Sequence, residues 1–85
     1  MSYTIKWRPQ AVKGLRKIPK EIAKKLVRRV NASKENPKSA LEKMEDYDTY
    51  KCRQGDYRAI IDILEDQKII AVKVVDHRRN IYKNR

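Results

Sequence analysis

Hydrophobic and polar residues alternate at the start of the chain. In "YTIKW" (3–7), Tyr3, Ile5 and Trp7 point one way and Thr4 and Lys6 the other, which predicts a half-buried strand. From Ala11 the period lengthens. Ala11, Val12, Leu15 and Ile18 follow at helical spacing behind Pro9, a residue suited to a first helical turn. Pro19 stops that helix and can open the next. Ile22, Ala23, Leu26, Val27 and Val30 then form one apolar stripe, with Lys20, Lys24, Lys25, Arg28 and Arg29 over the remaining surface. This is the clearest element in the sequence. "NASKENPKS" (31–39) ends it, and residues 40–48, with Leu41 and Met44 among acids, read as a short helical turn or a loop.

The period then returns to two. "TYKCR" (49–53) is short and β-prone, "QGDY" (54–57) reads as a hairpin turn, and "RAIIDIL" (58–64) is a strand. "EDQ" (65–67) is a second turn. "KIIAVKVV" (68–75) is the most apolar strand, which predicts a central place in the sheet. "RRNIYK" (78–83) is too short to assign. The order is β-α-α-β-β-β, with helices grouped and strands grouped. The fold class is therefore α+β: a small antiparallel sheet with two N-terminal helices packed on one face. The 85 residues make a single domain, 1–85, with room for one modest core.

Charge adds information about partners. Lys and Arg number 22 against 11 Asp and Glu, a formal net charge of +11. Residues 1–43 carry 13 Lys/Arg and 3 Glu, net +10; residues 44–85 carry 9 Lys/Arg and 8 Asp/Glu, net +1. The first half supplies the long-range field and the second holds individually placed charges. Nucleic acid is the usual partner of such a surface, ahead of an acidic protein or an anionic membrane. A run of lysines on a helix is also what an ordinary solvated face looks like. The single cysteine, Cys52, excludes an internal disulfide and a Cys/His metal cluster. Lys51 and Arg53 beside it could depress its thiol pKa, but a small residue on the buried face of a strand is the stronger reading. The N-terminus lacks the apolar block of a signal peptide, and no stretch approaches the ~20 apolar residues of a membrane span. These features predict a soluble, cytoplasmic protein.

The hairpin has a geometric consequence. Lys51 and Arg53 share a face of their strand. A four-residue "QGDY" loop sets Arg53 directly opposite Arg58 on that face; a three-residue loop would pair Arg53 with Tyr57 instead. Opposed cations are unfavourable unless an anion lies between them. Asp62 or Asp56 could be that anion, and so could a phosphate. His77, Arg78 and Arg79 close the last strand, and Tyr82 follows. Cations for a phosphate and a ring for stacking on a base are the means of RNA recognition, although Tyr82 could equally pack on the core.

The β-α-α-β-β-β order, "YKCRQGDYR" leading into an apolar strand, and "HRRNIY" near the end resemble the RelE family of bacterial and archaeal toxins. The wider superfamily includes the ParE toxins, which share the fold and the "GDYR" region. The resemblance implies a toxin that enters the ribosomal A site, cuts mRNA there as an endoribonuclease, and is neutralised by a cognate antitoxin. It implies that the basic surface meets ribosomal RNA. Cleavage would be attack of a 2′-OH on the neighbouring phosphate, needing a base, an acid and cations on the phosphoryl oxygens. The family's basic residues carry over to Lys51, Arg53, Arg58 and Arg78, and its stacking tyrosine to Tyr82. Arg79 joins Tyr82 as a substrate-binding candidate.

Arg53 departs from the pattern, since well-studied members have lysine there. A guanidinium is a poor base, which leaves Lys51, flanked by cations that favour its neutral amine, or His77. No carboxylate cluster points to a metal, so no metal or other cofactor is expected. The chain also stops three residues after Tyr82, so the C-terminal helix that some relatives carry is expected to be absent. The antitoxin should be partly acidic with an amphipathic helix. Two other functions fit the same fold: a ParE-like poison of DNA gyrase, and a non-catalytic RNA- or antitoxin-binding module.

Overall fold

A computed structural model describes residues 2–44 and 49–83, with side chains through Ile81. Strand β1 (Thr4–Trp7) leads into helices α1 (Pro9–Lys17) and α2 (Lys20–Ala32), then a short α3 (Pro37–Ala40) and a two-residue β2 (Glu42–Lys43). Strands β3 (Tyr50–Gln54), β4 (Tyr57–Leu64) and β5 (Ile69–His77) follow, with a 3₁₀ turn at Glu65–Gln67, and helix α4 (Arg78–Lys83) closes the described chain.

The five strands lie in the order β1-β5-β4-β3-β2. The α+β class and the order of the main elements are as the periodicity predicts. The sheet is mixed, however: β1 runs parallel to β5, Ile5 beside Ile70 and Trp7 beside Val72, while the other pairs are antiparallel. A hairpin forces its strands antiparallel, but β1 and β5 are linked by no hairpin. The α1–α2 segment carries the chain across the sheet from β1. β5 is interior, and the middle place belongs to β4. No helix among the described residues is long and apolar enough to cross a membrane.

The core is the seam between the helix pair and one face of the sheet. Ala11 and Ile18 from the α1 segment and Leu26 and Val30 from α2 pack on Cys52, Ala59, Ile61, Ile70, Val72 and Val75. Gly14 lets α1 settle onto β5, since a Cβ there would run into the Val75 carbonyl. The strand residues in this core do not keep strict alternation along β5. A bulge opposite Ile60/Ile61 inserts Lys73, so Ile70 and Val72 share the helix face with Val75 and His77. The opposite face bears Lys51, Arg53, Arg58, Asp62 and Asp76.

The C-terminal segment overturns one expectation. Residues 78–83 are helical, and Ile81 is buried. A turn of helix with one apolar anchor is too short for periodicity to reveal.

Candidate functional site

The β3–β4 hairpin builds the site. Its turn is two residues, Gly55–Asp56, with Gly55 at φ 61° in the first position, a conformation that favours glycine. Gln54 and Tyr57 still pair, so the turn is tighter than the quoted "QGDY", and Arg53 lies directly opposite Arg58. Lys51 sits two residues back on the same face, about 7 Å along the strand.

The two arginines resolve their repulsion by diverging. Arg53 reaches the sheet edge, where its Nε lies 4.0 Å from Glu42 Oε2 of β2. Arg29 of α2 donates from Nη1 to the Arg53 carbonyl at 3.3 Å. Arg58 turns inward and is only 6% exposed. Its Nη1 donates to the carbonyls of Gly55 (2.8 Å) and Tyr57 (3.1 Å), while its Nε is buried with no hydrogen-bond partner. Neither acid that the sequence offered as counter-charge is used: Asp62 pairs with Lys73 at 3.6 Å, and Asp56 with Arg78 at 3.8 Å. Among the described residues no carboxylate forms an ion pair with Arg58.

The end of β5 is drawn to the same turn. The Arg78 N–H donates to the Asp56 carbonyl at 2.7 Å. Asp56, His77, Arg78 and Arg79 line a hollow of about 420 Å³. Asp76 is the cross-strand neighbour of Arg58, and its Oδ1 accepts from the His77 N–H (2.7 Å) and from Asn80 Nδ2 (3.0 Å). The Arg79 N–H donates to His77 Nδ1 at 3.1 Å. The amides of residues 77–79 are therefore all satisfied within the chain, so an anion here must be held by side chains.

His77 lies on the other face of the sheet from Arg53 and Arg58. It pairs with Tyr57 on the helix face, and the two rings meet edge-on at 5.3 Å. The structure thus brings Lys51, Arg53 and Arg58 onto one face and Arg78 and Arg79 to the adjoining turn, while His77 faces the other way. Tyr82 lies in α4, but its side chain is outside the described residues. Arg29, Glu42, Asp76 and Asn80 escaped the sequence reading. The first two are brought to the hairpin from elements far along the chain, which no local pattern encodes.

Cys52, between Lys51 and Arg53 in the chain, is buried on the helix face with the core. Burial pushes its thiol pKa up; Arg29 opposes this and Glu42 adds to it. The packing reading of Cys52 holds, and the cationic neighbours do not make it a thiolate.

Residues 5–82 match the family described as ParE toxin of type II toxin-antitoxin system, parDE, and the chain belongs to that family. It is the toxin of a type II toxin-antitoxin pair, within the RelE/ParE superfamily. Solved structures agree on the fold. The archaeal RelE–RelB complex of Pyrococcus horikoshii is 27% identical, with a TM-score of 0.76, covering 92% of this chain and 97% of its counterpart. The Mycobacterium tuberculosis RelBE2 toxin–antitoxin complex is 23% identical, with a TM-score of 0.79, covering 92% and 100%. A free-state mutant of Escherichia coli RelE is 20% identical, with a TM-score of 0.81, covering 98% and 93%. No curated protein sequence matches the chain.

Proposed function

We propose that this toxin is a ribosome-dependent mRNA endonuclease, cutting in the A site by metal-independent attack of a 2′-OH. The observation that carries the reading is Arg58: a buried guanidinium, oriented by the carbonyls of Gly55 and Tyr57, opposite a second arginine, and with no ion pair to a carboxylate among the described residues. A buried charge without a partner is costly. A phosphate would supply the missing charge, and bonds between two charged groups are roughly twice as strong as neutral ones.

The roles follow from position. Lys51 is the base, because it shares the face of Arg53 and Arg58 whereas His77 does not. It takes the 2′-OH proton as the 2′-oxygen bonds to phosphorus. The P–O5′ bond breaks, leaving a 2′,3′-cyclic phosphate and a 5′-OH. Arg53 and Arg58 stabilise the charge that gathers on the phosphoryl oxygens, and Arg78 orients a water molecule that gives its proton to the leaving 5′ oxygen. Arg79 and Tyr82 bind the substrate strand. The cognate antitoxin is partly acidic and covers the body with an amphipathic helix.

Removing Arg58 or Arg78 (R58A, R78A) should cut mRNA cleavage by roughly 10²–10³-fold with antitoxin binding intact. Full cleavage by both variants would refute the assignment. The family match favours one other reading, poisoning of DNA gyrase. A supercoiling assay separates the two, because a gyrase poison would keep its effect in R58A.

A further inference from the structure

Asp76 is placed where an ion pair with Arg58 would be expected. The two residues are directly paired across β4 and β5 and share the face away from the helices. Yet Arg58 gives its Nη1 to the carbonyls of Gly55 and Tyr57, and Asp76 gives its Oδ1 to the next turn of chain. A half-buried carboxylate that forms no ion pair with the guanidinium directly across the strand has another task.

Its two bonds define that task. The His77 N–H is the last of the strand, and Asn80 lies one turn into α4. By holding both with one oxygen, Asp76 fixes the angle at which the chain leaves the sheet. The next two amides are then satisfied in sequence, Arg78 by the Asp56 carbonyl and Arg79 by His77 Nδ1. Hydrogen bonds from the amides of residues 77–79, not the charged ends of Arg78 and Arg79, anchor this turn. The Arg78 ion pair with Asp56 is long at 3.8 Å and lies between side chains that are more than half exposed, so it contributes little.

We propose that Asp76 is a positioning residue: its Oδ1, shared by the His77 amide and the Asn80 side chain, presents Arg78 and Arg79 at the Gly55–Asp56 turn that carries Arg58. The inference rests on the mRNA-cleavage reading for its consequence, but its geometry is independent of that reading. What matters is the acceptor oxygen, which asparagine also offers, and not the negative charge.

The test compares D76A, D76N and N80A with the unaltered protein. Two readouts are taken: steady-state cleavage of mRNA on programmed ribosomes, and amide hydrogen exchange at residues 77–79. D76A should lower kcat by up to about 100-fold, the scale of a misplaced catalytic group, with a smaller change in KM. It should also speed exchange of the His77 and Arg78 amides. D76N should restore most of both, and D76A combined with N80A should be no worse than D76A. Exchange in D76A as slow as in the unaltered protein, or D76N as damaged as D76A, would overturn the proposal. If the unaltered protein cuts no mRNA, the cleavage reading falls, and the exchange data still decide whether Asp76 holds the turn.

Discussion

Two arginines placed opposite each other across a hairpin repel unless their charged ends part. Here Arg53 leans outward toward Glu42 and Arg58 folds back over its own turn. The opposition itself was legible in the sequence, because alternation and loop length set the register. The fate of each side chain was not, since Glu42 lies eleven residues before Arg53 and Arg29 enters from α2. That His77 and Lys51 lie on opposite faces follows from the β5 bulge, which an apolar run does not disclose. Single residues also carry the helix–sheet contact. Replacing a helical glycine by alanine ordinarily stabilises by about 1 kcal/mol. At Gly14 the added methyl would collide with the Val75 backbone, which cannot move as a side chain can. G14A should therefore destabilise the protein, by about 1–3 kcal/mol as for overpacked sites. A urea titration would check this, and a raised midpoint would show that α1 can shift at no cost.

At the scale of elements, strong periodicity marked β1, α1, α2 and the β4 and β5 cores within a residue or two. It failed where few residues set the structure. β2 is two residues long, and α4 is held by hydrogen bonds donated to Asp56, Asp76 and His77 more than by a stripe. The β4–β5 turn shows a different device. Glu65 accepts from the Tyr3 hydroxyl at 2.7 Å and lies 3.5 Å from Lys38 and 3.7 Å from Lys68, whose ammonium sits 5.0 Å from the centre of the Tyr3 ring. The clasp ties the start of β1 to α3 and the turn. The Tyr3 hydrogen bond, helped by the two lysines, holds the Glu65 carboxyl below its ordinary value of 4.5. A depressed folded-state pKa means the clasp stabilises fully above the unfolded value and is lost as pH falls through the folded one. E65Q should thus lower the urea midpoint slightly near neutral pH, with the gap closing in acid; the exposure of the clasp keeps the effect small. An equal gap at all pH values would show that the carboxylate charge is not what matters.

Across the whole molecule, charge is divided by structure as it is by sequence. Lys13, Arg16, Lys17, Lys20, Lys24, Lys25, Arg28 and Arg29 of the helix pair are all exposed, on the side of the sheet opposite Arg53 and Arg58. Under the proposed function, the helices would face ribosomal RNA while the hairpin face takes a strand of mRNA. The fold and the toxin class were legible from chain order and two short motifs. A choice between ribosome and gyrase is not legible there, because a fold does not by itself name an activity. Primer extension on an mRNA incubated with purified toxin, with and without programmed ribosomes whose A site is empty, tests the central claim most directly. The account predicts cuts within the A-site codon, and only when ribosomes are present. Absence of cuts in both conditions by the folded protein, or equal cutting of free mRNA, would contradict it.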